Sequence, residues 1–181
     1  MQINLNKFDL HMIQHGIGFC ISASVQSILH YHKPHLHFSQ DYLHSLMVIG
    51  EQNQQPSFPA VLRNIKPKLD KEFDFQIPPE PQNFLEWSQN IKTEIDNSNP
   101  LAISTRVGPT SVHIRVVVGY DNAKKEFKLY NPGVTYLKNN GSTPGFQFSI
   151  KSFIEDYTYF NAESDFNVHQ PTRDQLIIHP I

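Results

Sequence analysis

The chain carries one cysteine, Cys20, and a lone thiol with histidine and amide partners elsewhere in the sequence is a pattern for a nucleophile. The plainer role for such a residue is that of a small buried hydrophobe. Three features of its surroundings favour chemistry. Ile21, Val25, Ile28 and Leu29 form one apolar stripe at helical spacing, so Cys20 opens a helix. The positive end of the helix dipole would stabilise a thiolate there and lower its pKa below the free value of about 8.5. The segment before it contains Gly16 and Gly18, an irregular loop that can present the sulfur to solvent. Gln14 lies upstream in the same segment. Its side-chain amide can donate to a developing oxyanion, with the Cys20 backbone N–H as second donor.

The partners must come from the second half of the chain. Val112–Tyr120 and Glu126–Tyr130 read as hairpin strands around the turn 121–125, and Asn131-Pro132-Gly133 breaks the second strand. His113 and Asn131 then lie at the same end of the hairpin, where an Asn carbonyl can orient the imidazole ring. Pro132 biases Asn131 toward extended backbone. Asp121, an alternative orienting acid, lies at the far end of the strand, about 26 Å from His113 at ~3.3 Å per residue, which excludes it.

The remaining elements follow from pattern. Pro34 ends the first helix; Ser39 caps a second through Leu43, Leu46 and Met47, ending near Gly50. Phe58, Val61, Leu62 and Ile65 suggest a third helix, and Phe84, Trp87, Ile91 and Ile95 a fourth. Leu101–Thr105 begins the β region. Phe146–Ile150 reads as a strand after a Gly-containing turn at 139–145, Lys151–Tyr157 as a short helix, and Thr158–Phe160 as a strand. The last dozen residues carry no assignable pattern. Helices first and an antiparallel sheet afterwards is an α+β arrangement. The expectation is one domain over residues 1–181, helical to about 99 and β from about 100, with 52–59 and 78–82 as loops.

The segment Gln14–Tyr31 (QHGIGFCISASVQSILHY) resembles the active-site helix of papain-like cysteine peptidases. It is most similar to the bacterial branch containing the leader-cleaving, bacteriocin-processing peptidase domains and their stand-alone relatives. Those share a Gln six residues before the Cys, small residues in the first turn (here Ser22, Ala23 and Ser24), and a downstream Ser-Gln (here Ser39-Gln40). The block His113–Pro132 (HIRVVVGYDNAKKEFKLYNP) resembles the same branch's His strand, with Gly-Tyr-Asp, a hairpin turn, then Asp or Asn before Pro. Two positions depart: Ile21 stands where Trp or Gly is usual, and Asn131 where Asp is common. The resemblance implies a papain-like fold, with the helical lobe packed on the sheet, and a thiol protease. Its catalytic triad would be Cys20, His113 and Asn131, with Gln14 in the oxyanion hole and no cofactor or metal. The alternatives on the same scaffold are an acyltransferase or transglutaminase-like enzyme using the same thiolate, and a non-catalytic relative that binds peptides.

Composition bounds the partners. With 39% apolar residues the chain can build a core, and 15 basic against 17 acidic side chains leave no basic footprint for nucleic acid. The expected partner is a peptide or protein substrate. No run approaches the ~18 apolar residues of a membrane span. Met1–Lys7 lacks a secretory-signal pattern, so the expected location is the cytoplasm, or outside by a route without a cleaved N-terminal signal, as for an effector. His30, His32, His35 and His37 cluster near a helix end, but without a supporting carboxylate or thiolate they read as a solvated loop. His15 reads as an exposed loop residue. Arg106 and Arg115 read as surface charges with an option on an acidic substrate. Trp87 and the later aromatics read as core or cleft wall.

Overall fold

The computed structural model describes residues 1–8, 14–15, 18–51, 56–107, 112–133, 154–168 and 173–181. The strand expected at Phe146–Ile150, its preceding turn, and Gly16 lie outside the described residues.

Helix α1 spans Cys20–His32 and α2 spans Gln40–Met47. Ser39 caps α2 by accepting from the Tyr42 amide, as its type predicts. The third helical segment is composite: α3 (Phe58–Ala60), a π-helical stretch (Val61–Ile65) and α4 (Lys66–Leu69), the last with proline in its first turn. Strand β1 (Phe73–Gln76) precedes α5 (Phe84–Asp96), whose Asn83 cap accepts from the Glu86 amide. Then come β2 (Leu101–Arg106), β3 (Val112–Asp121), β4 (Glu126–Tyr130), β5 (Ile154–Thr158), α6 (Tyr159–Val168) and β6 (Gln175–Pro180).

The six strands form one sheet in the order β1-β6-β2-β3-β4-β5, antiparallel throughout. The result is α+β, as the patterns predict. Strand β1 nevertheless lies in the half read as helical, and α6 in the half read as β. The unassigned C-terminal tail supplies β6, which joins β1 to β2 across the sheet.

Two elements correct the sequence reading. Residues 154–157, expected in a helix, form β5 together with Thr158, while Tyr159 and Phe160, expected in a strand with Thr158, begin α6. Ile154 and Tyr157, three apart, mimic a helical stripe. The deciding term is non-local: β5 pairs along the whole of β4, from Tyr130↔Ile154 to Glu126↔Thr158, and Lys128 reaches across to Asp156 at 2.5 Å. Its exposed, acidic sequence suits an edge strand, where charge discourages further pairing.

Residues Leu101 to Thr105 of β2 and Val116 to Val118 of β3 are buried consecutively, so both faces of the sheet are covered. Helix α1 packs on β2, β3 and β6; α5 packs on β2 and β3, and α6 joins it. Most of α1 is buried, including Ser22, Ala23, Ser24 and Ser27. These small residues let the helix approach the sheet closely, and the Ser27 hydroxyl is satisfied by the Ala23 carbonyl at 2.8 Å. Trp87 anchors an aromatic cluster, stacked on Phe84 and edge-on to Phe127 with centroids 5.7 and 5.8 Å away. Gly119 sits at a register shift between β3 and β4, where a Cβ would come within 2.9 Å of the Met1 carbonyl. The glycine thus lets the N-terminal segment lie against the strand, with the Ile3 amide donating to Val118 O at 2.9 Å.

Candidate active site

Cys20 is the first residue of α1 and is partly buried against the core. The loop before it is pinned from α2. Gln40 is 2% exposed and its Oε1 accepts from the His15 amide at 3.1 Å, while the Phe19 ring stacks on His44 with centroids 3.9 Å apart. The Ser-Gln pair therefore has a division of labour: Ser39 starts α2, and Gln40 fixes the approach to the cysteine. His15 is exposed as expected and also meets Asp41 at 3.3 Å.

The expected lowering of the Cys20 pKa is reversed. Burial pushes the thiol up, and this outweighs the backbone amides of Ile114, Ile21 and Cys20 itself and the Arg115 charge, all of which draw it down. The helix start does act in the predicted direction, but desolvation is larger. The Ile114 amide belongs to β3, one residue beyond His113, so the sulfur meets the strand that carries the histidine.

On that strand, Thr105 faces His113 across β2, and Val116 faces Tyr130 across β4. The chain leaving β4 therefore runs alongside His113. His113 Nε2 and Asn131 Oδ1 are 2.7 Å apart. Burial pushes the imidazole pKa below its ordinary value; Asn131 and Glu155 oppose this, and Arg115 adds to it. Gly133 donates its amide to the same Asn131 Oδ1 at 2.8 Å. The Asn131 side-chain N–H donates to Glu155 Oε1 at 2.8 Å. Gln14 is tied to this corner through its backbone, whose amide donates to the Pro132 carbonyl at 2.9 Å.

The structure thus gathers Cys20, the His113–Asn131 pair and Gln14 at one end of β3. Asp121 stays at the opposite end, where its carboxylate accepts from the Ala123 and Lys124 amides and caps the turn. Arg115 is not a free surface charge: Nε donates to Glu155 Oε2 at 3.0 Å, and the guanidinium also contacts the Thr105 hydroxyl. Three participants have roles that the sequence does not give: Gly133 stands out there only as a strand breaker, Gln40 only as part of the Ser-Gln pair, and Glu155 lies unmarked in a segment with helical spacing. Only strand alternation in 154–158 could have pointed Glu155 toward Asn131.

Among the described residues no cluster of His, Cys, Asp or Glu can hold a metal ion, and no helix is long and apolar enough to cross a membrane. Burial carries His32 down to about 4, so it is neutral at pH 7. Of the loops at 51–59, 106–111 and 133–145, which the sequence leads one to expect as cleft walls, residues 52–55, 108–111 and 134–145 lie outside the described residues.

The sequence profile of the Peptidase_C39-like family matches residues 3–165. No curated protein sequence matches the chain. Among solved structures, the peptidase domain of Streptococcus ComA, a bi-functional ABC transporter involved in a quorum-sensing pathway, superimposes with a TM-score of 0.62. The match covers 94% of this chain and 97% of that domain at 16% identity, which speaks for a shared fold. With the profile spanning nearly the whole sequence, the chain belongs to the Peptidase_C39-like family and is a hydrolase, a papain-like cysteine peptidase acting on peptide substrates.

Proposed function

We propose that the protein cleaves peptide bonds with Cys20 as nucleophile, His113 as general base and acid, Asn131 as the orienting residue, and Gln14 as oxyanion donor. The observation that carries this reading is the 2.7 Å His113–Asn131 hydrogen bond on the strand whose Ile114 amide meets the Cys20 sulfur.

Asn131 Oδ1 receives the Gly133 N–H, an unambiguous donor, and the amide nitrogen faces a carboxylate, an unambiguous acceptor. Oδ1 therefore faces the ring, and His113 Nε2 carries the proton. The neutral ring then has its lone pair on Nδ1, ready to accept from the thiol. As the Cys20 S–H proton moves to Nδ1, sulfur bonds to the scissile carbonyl carbon and the carbonyl π electrons go to oxygen. The oxyanion is held by the Gln14 side-chain amide and the Cys20 backbone N–H, one of the helix's unpaired first-turn donors. Collapse breaks the C–N bond, and the amine leaves with the proton from His113. Water then attacks the thioester, giving its proton to His113, and the released sulfur takes that proton back.

Burial disfavours both the thiolate and the imidazolium, so the resting pair is neutral and the proton moves with the attack. Digestion of a mixed peptide pool, read by mass spectrometry, tests the assignment. New termini are expected with the parent and none with Cys20→Ala. Cleavage that survives in Cys20→Ala, or a parent that cuts nothing in the pool, contradicts it.

A further inference from the structure

The residue that orients the histidine is itself oriented. We propose that Glu155, held by Arg115, is a positioning residue that fixes the amide of Asn131 and through it the tautomer of His113.

The connection is a closed circuit of hydrogen bonds. Arg115 Nε donates to Glu155 Oε2 at 3.0 Å, Asn131 Nδ2 donates to Glu155 Oε1 at 2.8 Å, and Asn131 Oδ1 meets His113 Nε2 at 2.7 Å. Arg115 also bonds Thr105, whose hydroxyl donates to the His113 carbonyl at 2.9 Å, so the circuit returns to the residue it serves. An asparagine amide has two orientations of similar shape, and a ring nitrogen can pair with either end of it. A carboxylate accepts and never donates, so Glu155 permits only the orientation that turns oxygen to the ring. Turned the other way, the amide would offer N–H to Nε2, shift the ring proton to Nδ1, and remove the acceptor that Cys20 needs. Besides Glu155, the charged group acting on His113 is Arg115, from its own strand. The neutral Asn131 is thus paired with a charged residue behind it.

This inference rests on the proposed triad, and a residue swap tests it separately. Asn131→Asp alone sets two carboxylates face to face. Glu155→Gln alone leaves one side chain, with one acceptor and one donor, to face the donors of both Arg115 and Asn131. The double variant Asn131→Asp/Glu155→Gln satisfies every bond again: the Gln oxygen accepts from Arg115, its amide donates to the Asp carboxylate, and the other Asp oxygen serves His113 and Gly133. The net charge is unchanged, but the negative charge now adjoins the ring.

Two readouts are taken on the four proteins. Nitrogen-15 shifts of His113 report its tautomer and titration. The rate of Cys20 alkylation by iodoacetamide at pH 7.5 reports proton transfer. Glu155→Gln is expected to lose the pure Nε2–H tautomer, and Asn131→Asp, its carboxylate repelled by Glu155, to lose the hydrogen bond to the ring; each should slow alkylation about tenfold, and the double variant should recover bond and tautomer and come within about threefold of the parent. The His113 titration of the double variant should move to higher pH than in the parent, which repaired packing alone would not produce. A Glu155→Gln protein with the parent's tautomer, or a double variant no better than the worse single, overturns the proposal. If alkylation is independent of His113 in the parent, the triad reading fails, and the tautomer data still decide the role of Glu155.

Discussion

Cys20→Ala, His113→Ala and the double variant are expected to fall to one common floor of peptide hydrolysis, about four or more orders of magnitude below the parent in kcat/KM. The reason is that sulfur and imidazole act in one step. Without His113 the buried thiol has no proton acceptor and a pKa pushed up by desolvation. Without Cys20 the histidine has nothing to activate. Losses from such a unit do not add, so the double variant should be no worse than either single. Asn131→Ala should fall less, about 100-fold, because the ring keeps its strand position and loses only its orienting bond. Thermal unfolding of all variants should stay within a few degrees of the parent. Additive losses, or a His113→Ala protein with near-parent activity, would show that the two residues do not share a step.

Gly133→Ala should cost about 100-fold in kcat/KM with little change in thermal stability. A Cβ at 133 would lie 2.8 Å from Asn131 Oδ1, 2.8 Å from His113 Nε2 and 3.1 Å from His113 Cε1. Contacts under 3.0 Å are not tolerated, so the imidazole and the amide would have to part. The register supports this reading. With Val116 opposite Tyr130, continuing the ladder places Gly133 opposite His113, where side chains on paired strands sit closest. A methyl group there displaces the two atoms whose bond defines the proton acceptor. Gly133 is only half-buried, so the core is untouched and the effect belongs to activity. Parent-like activity in this variant would mean that the backbone at 133 yields instead of the ring.

Much of this site was legible because local chemistry and local pattern agree. Cys20 at the start of an apolar helical stripe, Ser39 as a cap, and a hairpin ending in Asn-Pro each specify their own neighbourhood, and all three stand where the spacing predicts. Other features depend on distant partners. Residues 154–158 carry a helical spacing of apolar side chains, and only pairing with β4 makes them a strand. The C-terminal strand shows no alternation because consecutive residues are buried on both faces, with α1 packed on it, while β1 and β2 pair with its edges. The Cys20 pKa departs from the sequence expectation for a related reason. The helix start is visible in sequence, whereas the desolvation that outweighs it depends on how closely α1 packs on the sheet. Arg115, an isolated charge in the sequence, is engaged by Thr105 on the adjacent β2 and by Glu155 on β5, beyond β4.

The central claim is that His113 takes the proton of Cys20, and the pH dependence of iodoacetamide alkylation in the parent and in His113→Ala tests it most directly. Burial holds the imidazole pKa below its ordinary value, so the ring is already neutral, and able to accept, as pH rises toward 7. The same burial raises the thiol, so without the ring Cys20 should react only above the free-thiol value of about 8.5. The expected result is a parent at least about tenfold faster than His113→Ala at pH 7, with the two curves converging at alkaline pH. Superimposable curves would contradict the assignment of His113 as the base for Cys20.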